Sequence, residues 1–199
     1  MCGIAGIINL SEEHVDPSRI KTMLTKIKHR GPNAEGLFFK DNVGLGHVRL
    51  SIIDLSSAGH QPMYSNDQRY LIIFNGEIYN YLELKKELEH NYKFKSQTDT
   101  EVLLSAYITW GANCLSKLNG DFSFIIYDTL EKTVFGARDR FGIKPFYYHH
   151  DPAKFVFASE IKAILPIIDD VKPNNKSIFE YLAFNRCDQS NETFFSSIF

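Results

Sequence analysis

Four short apolar runs crowd the second half of the chain, DFSFIIYD, TVFGARD, PFYYHH and KFVFAS, each bounded by turn-forming residues. Strand-length runs this rich in Phe, Tyr, Ile and Val, so closely spaced, predict a β meander, because strands joined by short turns pair antiparallel. Earlier, GIAGII (3–8) is apolar throughout and carries two glycines, which suits a central strand better than a helix and would fix Cys2 at the edge of the core. Residues 43–54, VGLGHVRLSIID, alternate in their second half: Val48, Leu50 and Ile52 face one way, and His47, Arg49 and Ser51 the other. This predicts a half-buried strand. YLIIFNGEIYN (70–80) reads as a strand running into an Asn-Gly turn at Asn75 and Gly76, followed by a helix that carries Leu82, Leu84 and Leu88.

Two more helices have their punctuation in place. In VDPSRIKTMLTKIKHRG, Asp16 can cap a helix with Pro17 at its first position, Ile20, Met23, Leu24 and Ile27 on one face, and Gly31 past its end. In TDTEVLLSAYITWG, Thr98 and Glu101 have the spacing of a capping box, and Gly111 closes the helix. Mainly antiparallel sheet with helices bunched between strands predicts a layered α+β domain over residues 1–165. After Pro166 the text turns polar around one amphipathic stretch and ends on FFSSIF.

Composition removes several classes of function. The formal net charge of -2, with no clustering of Lys and Arg, argues against nucleic acid or an anionic membrane as partner. Cys2, Cys114 and Cys187 are odd in number and lack a C-x-x-C spacing, which speaks against disulfides or zinc and for a reducing, cytoplasmic setting. Apolar runs stay far below the ~18 residues of a membrane span. Adjacent His149 and His150 would face opposite sides of a strand, which is poor geometry for a shared metal, and no phosphate-binding glycine motif occurs.

Cys2 directly follows the initiator methionine, which is generally removed when the next residue is small. Its own α-amine would then sit beside its thiol. An α-amine has a reference pKa of about 7.7–8.0 against about 10.4 for lysine, so it is a usable base at neutral pH, and the thiol near about 8.5 is readily deprotonated. A thiol attacking an amide needs donors aimed at the oxyanion, and FNGE can supply the Asn75 side-chain amide and the Gly76 N–H. Each residue also has a plainer reading: an Asn-Gly turn, a solvated strand face for Arg49, a helix-dipole partner for Asp99, a solvated turn for Glu77.

The ordered motifs CGIAG, HRGPNAEG, LGHVRLSIIDL, GHQPM, FNGEIYNYLELKKEL, TDTEVLL, LNGDFSFIIYD, ARDRFGIKPFYY and FASEIKAI resemble the glutaminase domain of class II glutamine amidotransferases. Within that superfamily they are most similar to glutamine-dependent asparagine synthetases. The resemblance implies an N-terminal-nucleophile hydrolase fold, a four-layer αββα sandwich of two mainly antiparallel sheets between helical layers. It implies hydrolysis of L-glutamine to glutamate and ammonia through a γ-glutamyl thioester on Cys2, with Asn75 and Gly76 as oxyanion hole. Arg49 would hold the substrate α-carboxylate, Asp99 with Glu77 and Gly76 the α-ammonium, and Leu50 and Ile53 would complete the substrate contacts. Arg138, Asp139 and Arg140 are expected to brace the cleft.

The resemblance further implies no metal or cofactor for this half. ATP and Mg2+ are expected only in a synthetase half, whose Ser-Gly-Gly-x-Asp-Ser signature does not occur here. Residues 166–199 would be the linker and start of that half, expected in the same polypeptide, with FFSSIF lacking its packing partner; a homodimer is possible. A different ammonia acceptor, or a silent regulatory module that keeps Met1, stays open.

Overall fold

Period-two burial sorts the apolar runs into two antiparallel sheets. The computed structural model describes residues 1–187 and 190–199. In chain order the elements are β1 (Gly3–Asn9), α1 (Pro17–Ile27), β2 (Ala34–Lys40), β3 (Val43–Arg49), β4 (Met63–Tyr64), β5 (Tyr70–Ile78), α2 (Tyr81–Leu88), α3 (Asp99–Trp110), β6 (Gly120–Asp128), β7 (Thr133–Arg138), β8 (Tyr147–His150), β9 (Lys154–Ala158), α4 (Ile161–Ile164) and α5 (Asn175–Phe184). One sheet has the order β2-β3-β1-β9-β8, the other β4-β5-β6-β7.

Alternate residues of each strand feed different layers. Ile4, Leu45, Leu71, Ile73, Ile125, Tyr127 and Phe157 meet between the sheets. Ala5, Ile7, Val48 and Val156 turn outward onto Ile20, Met23, Leu24 and Ile27 of α1. Ile72, Phe74, Phe124 and Ile126 turn outward onto Leu84 and Leu88 of α2 and Val102 and Leu103 of α3. The result is the expected αββα sandwich. Each fully buried Ile, Leu or Phe contributes about 1.5–3 kcal/mol relative to exposure, so three continuous cores weld the four layers.

Asp16 caps α1 as expected, accepting from the Ser18 N–H, though a 3-10 turn (Lys28–Arg30) intervenes before Gly31. Only half of the predicted capping box forms. The Thr98 hydroxyl accepts from the Glu101 N–H, but Ser96 Oγ takes the Thr98 N–H, and the Glu101 carboxylate turns back to the Lys95 and Ser96 N–H groups.

Three expectations are corrected by contacts that hydrophobic periodicity does not report. β3 ends at Arg49 instead of running to 54, because the guanidinium of Arg49 draws residues 50–60 into a loop around itself. β5 runs straight through Asn75 and Gly76, which pair with Ser123 and Phe122 of β6, so no turn forms there. The four late runs are not one meander. β6 and β7 form a hairpin in one sheet, β8 and β9 a hairpin in the other, and residues 139–146 carry the chain across.

Asp139 makes that crossing rigid. Its carboxylate accepts from the N–H groups of Phe122, Phe141, Ile143 and Lys144, while Arg138 donates to the carbonyls of Gly142 and Lys144. Burial works against the Asp139 charge, but these donors outweigh it and hold the carboxyl below its ordinary range. A depressed carboxylate stabilises fully above its unfolded pKa and loses that contribution as pH falls through the folded value. Asp139→Ala strands several donors at once, each at about 1–3 kcal/mol. Urea unfolding at pH 7 should show a loss of about 3 kcal/mol or more, shrinking towards pH 3.

His149 is buried against the Ser197 carbonyl and Asp151, while His150 is exposed, the opposite-face arrangement expected of neighbours on a strand. FFSSIF is not left without partners. Ile198 is fully buried in the α1 core, and Phe199 exchanges N–H···O bonds with Tyr148 on β8. Among the described residues, no helix is long and apolar enough to cross a membrane.

Candidate active site

Strand ends from both sheets converge on one cleft of about 180 Å³. Every residue singled out from the sequence lines it: Cys2, Arg49, Leu50, Ile53, Asn75, Gly76, Glu77 and Asp99.

Cys2 stands immediately before β1, the central strand of its sheet, so its backbone position is set by pairing on both sides of that strand. Arg30 Nε donates to the Cys2 carbonyl at 2.9 Å while its other arm donates to Glu160 at 3.0 Å. The thiol accepts from the Leu50 N–H at 3.3 Å and donates to the Leu50 carbonyl at 3.6 Å. Burial pushes the thiol pKa up. The Leu50 N–H, the chain-terminal ammonium and Arg49 pull the other way without overcoming it. A buried thiol in this state needs a base at hand to become a nucleophile. Met1, exposed at the cleft mouth, still precedes it in this chain, with Lys144 Nζ 3.7 Å from its sulfur.

Arg49 is buried at the end of β3 and donates to the carbonyls of Ser56, at 2.7 Å, and Asp54. Gly59 lies flat against the guanidinium: a Cβ there would stand 2.2 Å from its Nη2. Two of the five guanidinium donors go to the loop, and the group remains on the cleft wall. Ile53 sits at the rim of this loop, partly exposed, as does Ile52.

β5 forms the opposite wall. Asn75 is almost completely buried, yet its Nδ2 has no hydrogen-bond partner. The Gly76 N–H is also turned away from the ladder. Phe122, which faces Gly76, spends its own N–H and C=O on Asp139 of the other side, at 3.2 and 2.8 Å, and antiparallel alternation then points the Gly76 polar groups out of the sheet. Gly76 has to be glycine because a Cβ would meet the Asp121 carbonyl oxygen at 2.4 Å and Phe122 Cα at 2.8 Å.

Asp99 opens α3, and its Oδ2 accepts from the Ile78 N–H at 3.0 Å. Burial raises its pKa to about 6 against the Ile78 and Thr100 N–H groups, with Glu77 adding repulsion. An anionic group so placed is eased by a cation. The same burial favours the protonated form in the fold, so ionised Asp99 costs stability above about pH 6, a cost relieved as pH falls towards 3.8.

Four neighbours went unnoticed in the sequence. His47 is fully buried and donates from Nε2 to the Phe74 carbonyl at 3.1 Å, with Nδ1 unpartnered; burial lowers its pKa to about 4, which leaves it a weak base. Gln61, Lys144 and the Arg30 contact to Cys2 also border the site. Only GHQPM among the motifs signalled Gln61. Among the described residues, no group of three or more His, Cys, Asp or Glu is placed to hold a metal ion.

Comparison with known proteins is consistent across sequence and fold. Residues 1–199 match the family model described as a glutamine amidotransferase domain. The chain is 45% identical over 88% of its length to a Methanocaldococcus jannaschii protein provisionally named asparagine synthetase (glutamine-hydrolyzing) 2, and 43% identical over 92% of its length to asparagine synthetase (glutamine-hydrolyzing) 1 of Bacillus subtilis. A Gibberella zeae protein named amidase chry2 is 39% identical over 83% of the chain. The chain spans 37%, 30% and 26% of the lengths of these three relatives. Glutamine phosphoribosylpyrophosphate amidotransferase of B. subtilis superposes over 82% of this chain and 43% of its own, with a TM-score of 0.69 at 25% identity.

Proposed function

Because the chain belongs to the glutamine amidotransferase domain family, related to glutamine-hydrolysing asparagine synthetases, we propose that this cleft hydrolyses L-glutamine to L-glutamate and ammonia on Cys2. Removal of Met1 frees the Cys2 α-amine, which takes the thiol proton as sulfur attacks the side-chain carbonyl carbon. A C–S bond forms, and the carbonyl electron pair moves to oxygen, where Asn75 Nδ2 and the Gly76 N–H receive it. Collapse of that adduct breaks the C–N bond. The ammonium form of the α-amine returns its proton to the leaving nitrogen, and ammonia departs. Water, deprotonated by the same amine, then cleaves the thioester to glutamate and the free thiol. Arg49 holds the α-carboxylate, Asp99 and Glu77 hold the α-ammonium, and Leu50 and Ile53 flank the carbon chain.

The observation that carries this reading is the unpartnered, buried Asn75 amide in the same cleft as the Cys2 thiol. Buried donors are nearly always satisfied, so an orphan in a cleft is a donor held for a ligand. The test is acid quenching during turnover, with mass analysis expected to find a glutamyl adduct on the Cys2 peptide. An adduct elsewhere, or ammonia release without one, would refute covalent catalysis at Cys2. In the whole protein we propose that the ammonia passes to an ATP- and Mg2+-dependent synthetase domain that makes asparagine.

Asp99 gives the reading a pH signature. Its carboxyl must be ionised to pair with the substrate ammonium, and in the free chain it ionises near pH 6. Glutamine affinity of a Cys2→Ala chain, measured by calorimetry so that no proton transfer to sulfur intervenes, should weaken about tenfold per pH unit below 6. Asp99→Asn should bind more weakly by about 10- to 100-fold at pH 7.5, the worth of a charged hydrogen bond, and should show no such slope.

A further inference from the structure

We propose that Gln61 is a positioning residue for the hydrolysis, its side chain standing in for a missing strand so that the Gly76 N–H stays open. The proposal rests on the glutaminase reading above. β4 pairs Met63 with Ile72 and Tyr64 with Leu71 and goes no further. The same register continued would set Gln61 opposite Phe74 and Gly59 opposite Gly76. A backbone there would pair along the β5 edge and consume the Gly76 N–H.

The chain leaves the sheet instead, and the Gln61 side chain makes the bond its backbone would have made. Its Oε1 accepts from the Phe74 N–H at 2.6 Å, and its Nε2 donates to Thr100 Oγ at 3.2 Å, on a residue only 8% exposed. Four residues on, the Ile78 N–H is taken by Asp99. The outward N–H groups of β5 are thus closed by a side-chain amide at 74 and a carboxylate at 78, with the Gly76 donor between them. Glutamine suits the post because one planar amide carries both acceptor and donor. By tying β5 to the first turn of α3, it also fixes Asn75 relative to Asp99.

Oxyanion donors act in the transition state, whereas Arg49 and Asp99 act on bound substrate. Disturbing Gln61 should therefore move kcat and spare KM. The experiment compares the 199-residue chain with Gln61→Met and Thr100→Val, for glutamine hydrolysis, thermal unfolding and the rate of Cys2 alkylation by iodoacetamide, which uses the thiol but no oxyanion hole. For Gln61→Met, kcat should fall about 10- to 100-fold, with KM within about threefold and alkylation within about twofold of the parent. Thr100→Val, which frees only the Nε2 end, should lose about three- to tenfold in kcat with KM unchanged, and it decides the matter if Gln61→Met does not fold. Unchanged kcat in a folded variant, or a fall in kcat accompanied by a raised KM and slowed alkylation, overturns the proposal. A parent chain with Met1 removed that releases no ammonia overturns the reading of the site beneath it, which is a separate and distinguishable failure.

Discussion

Cys2→Ala should release no measurable ammonia from glutamine, an expected loss of at least about 10³-fold, the scale on which removal of a catalytic nucleophile acts. Retaining Met1 should be nearly as damaging, for a different reason. With Met1 in place the Cys2 nitrogen is an amide with no basic lone pair, and the free amine lies one residue away at the exposed cleft mouth. The thiol, raised by burial, then has no strong base beside it, because burial lowers the pKa of His47, bonded through Nε2 to the Phe74 carbonyl, to about 4. Ammonia release should scale with the fraction of chains lacking Met1, read by intact mass across preparations of different processing. Equal activity in processed and unprocessed chains would show that another group accepts the proton.

The layers of the sandwich were legible because alternation is local: Ile4 and Ala5 on β1, or Leu71 and Ile72 on β5, declare their faces from sequence alone. Which strands share a sheet was not, because it depends on the Asp139 carboxylate collecting N–H groups from Phe122 to Lys144 and steering the chain across. Asn75–Gly76 misled for a related reason. The dipeptide favours a tight turn in isolation, but nine residues of β6 pair with β5 end to end and keep it extended. Glycine is needed there for close approach to Asp121 and Phe122, which a turn propensity does not report. The extension of β3 past Arg49 failed because a guanidinium capturing the Asp54 and Ser56 carbonyls leaves no trace in hydrophobic periodicity. The residues that line the cleft were singled out through motif order, and Gln61 escaped because its bond to the Phe74 N–H depends on the register between β4 and β5.

Asn75→Ala should lower kcat by about 10²- to 10³-fold, or about 2.7–4 kcal/mol of barrier, with little change in KM. The same substitution should leave the fold as stable as before, or more so. A buried donor without a partner has lost its water and gained nothing in return, so deleting it relieves a desolvation cost that ordinarily runs to about 1–3 kcal/mol, offset by the small void left behind. This pairing of a large kinetic loss with unchanged or raised thermal stability separates an oxyanion donor from a structural amide. A structural Asn at this point in β5 would do the reverse, lowering the melting temperature and disturbing KM through Asp99 and Glu77 on either side. Asn75→Asp sharpens the contrast: it keeps the shape but replaces a donor with an acceptor facing the developing negative charge, and it should be at least as inactive as alanine while remaining folded.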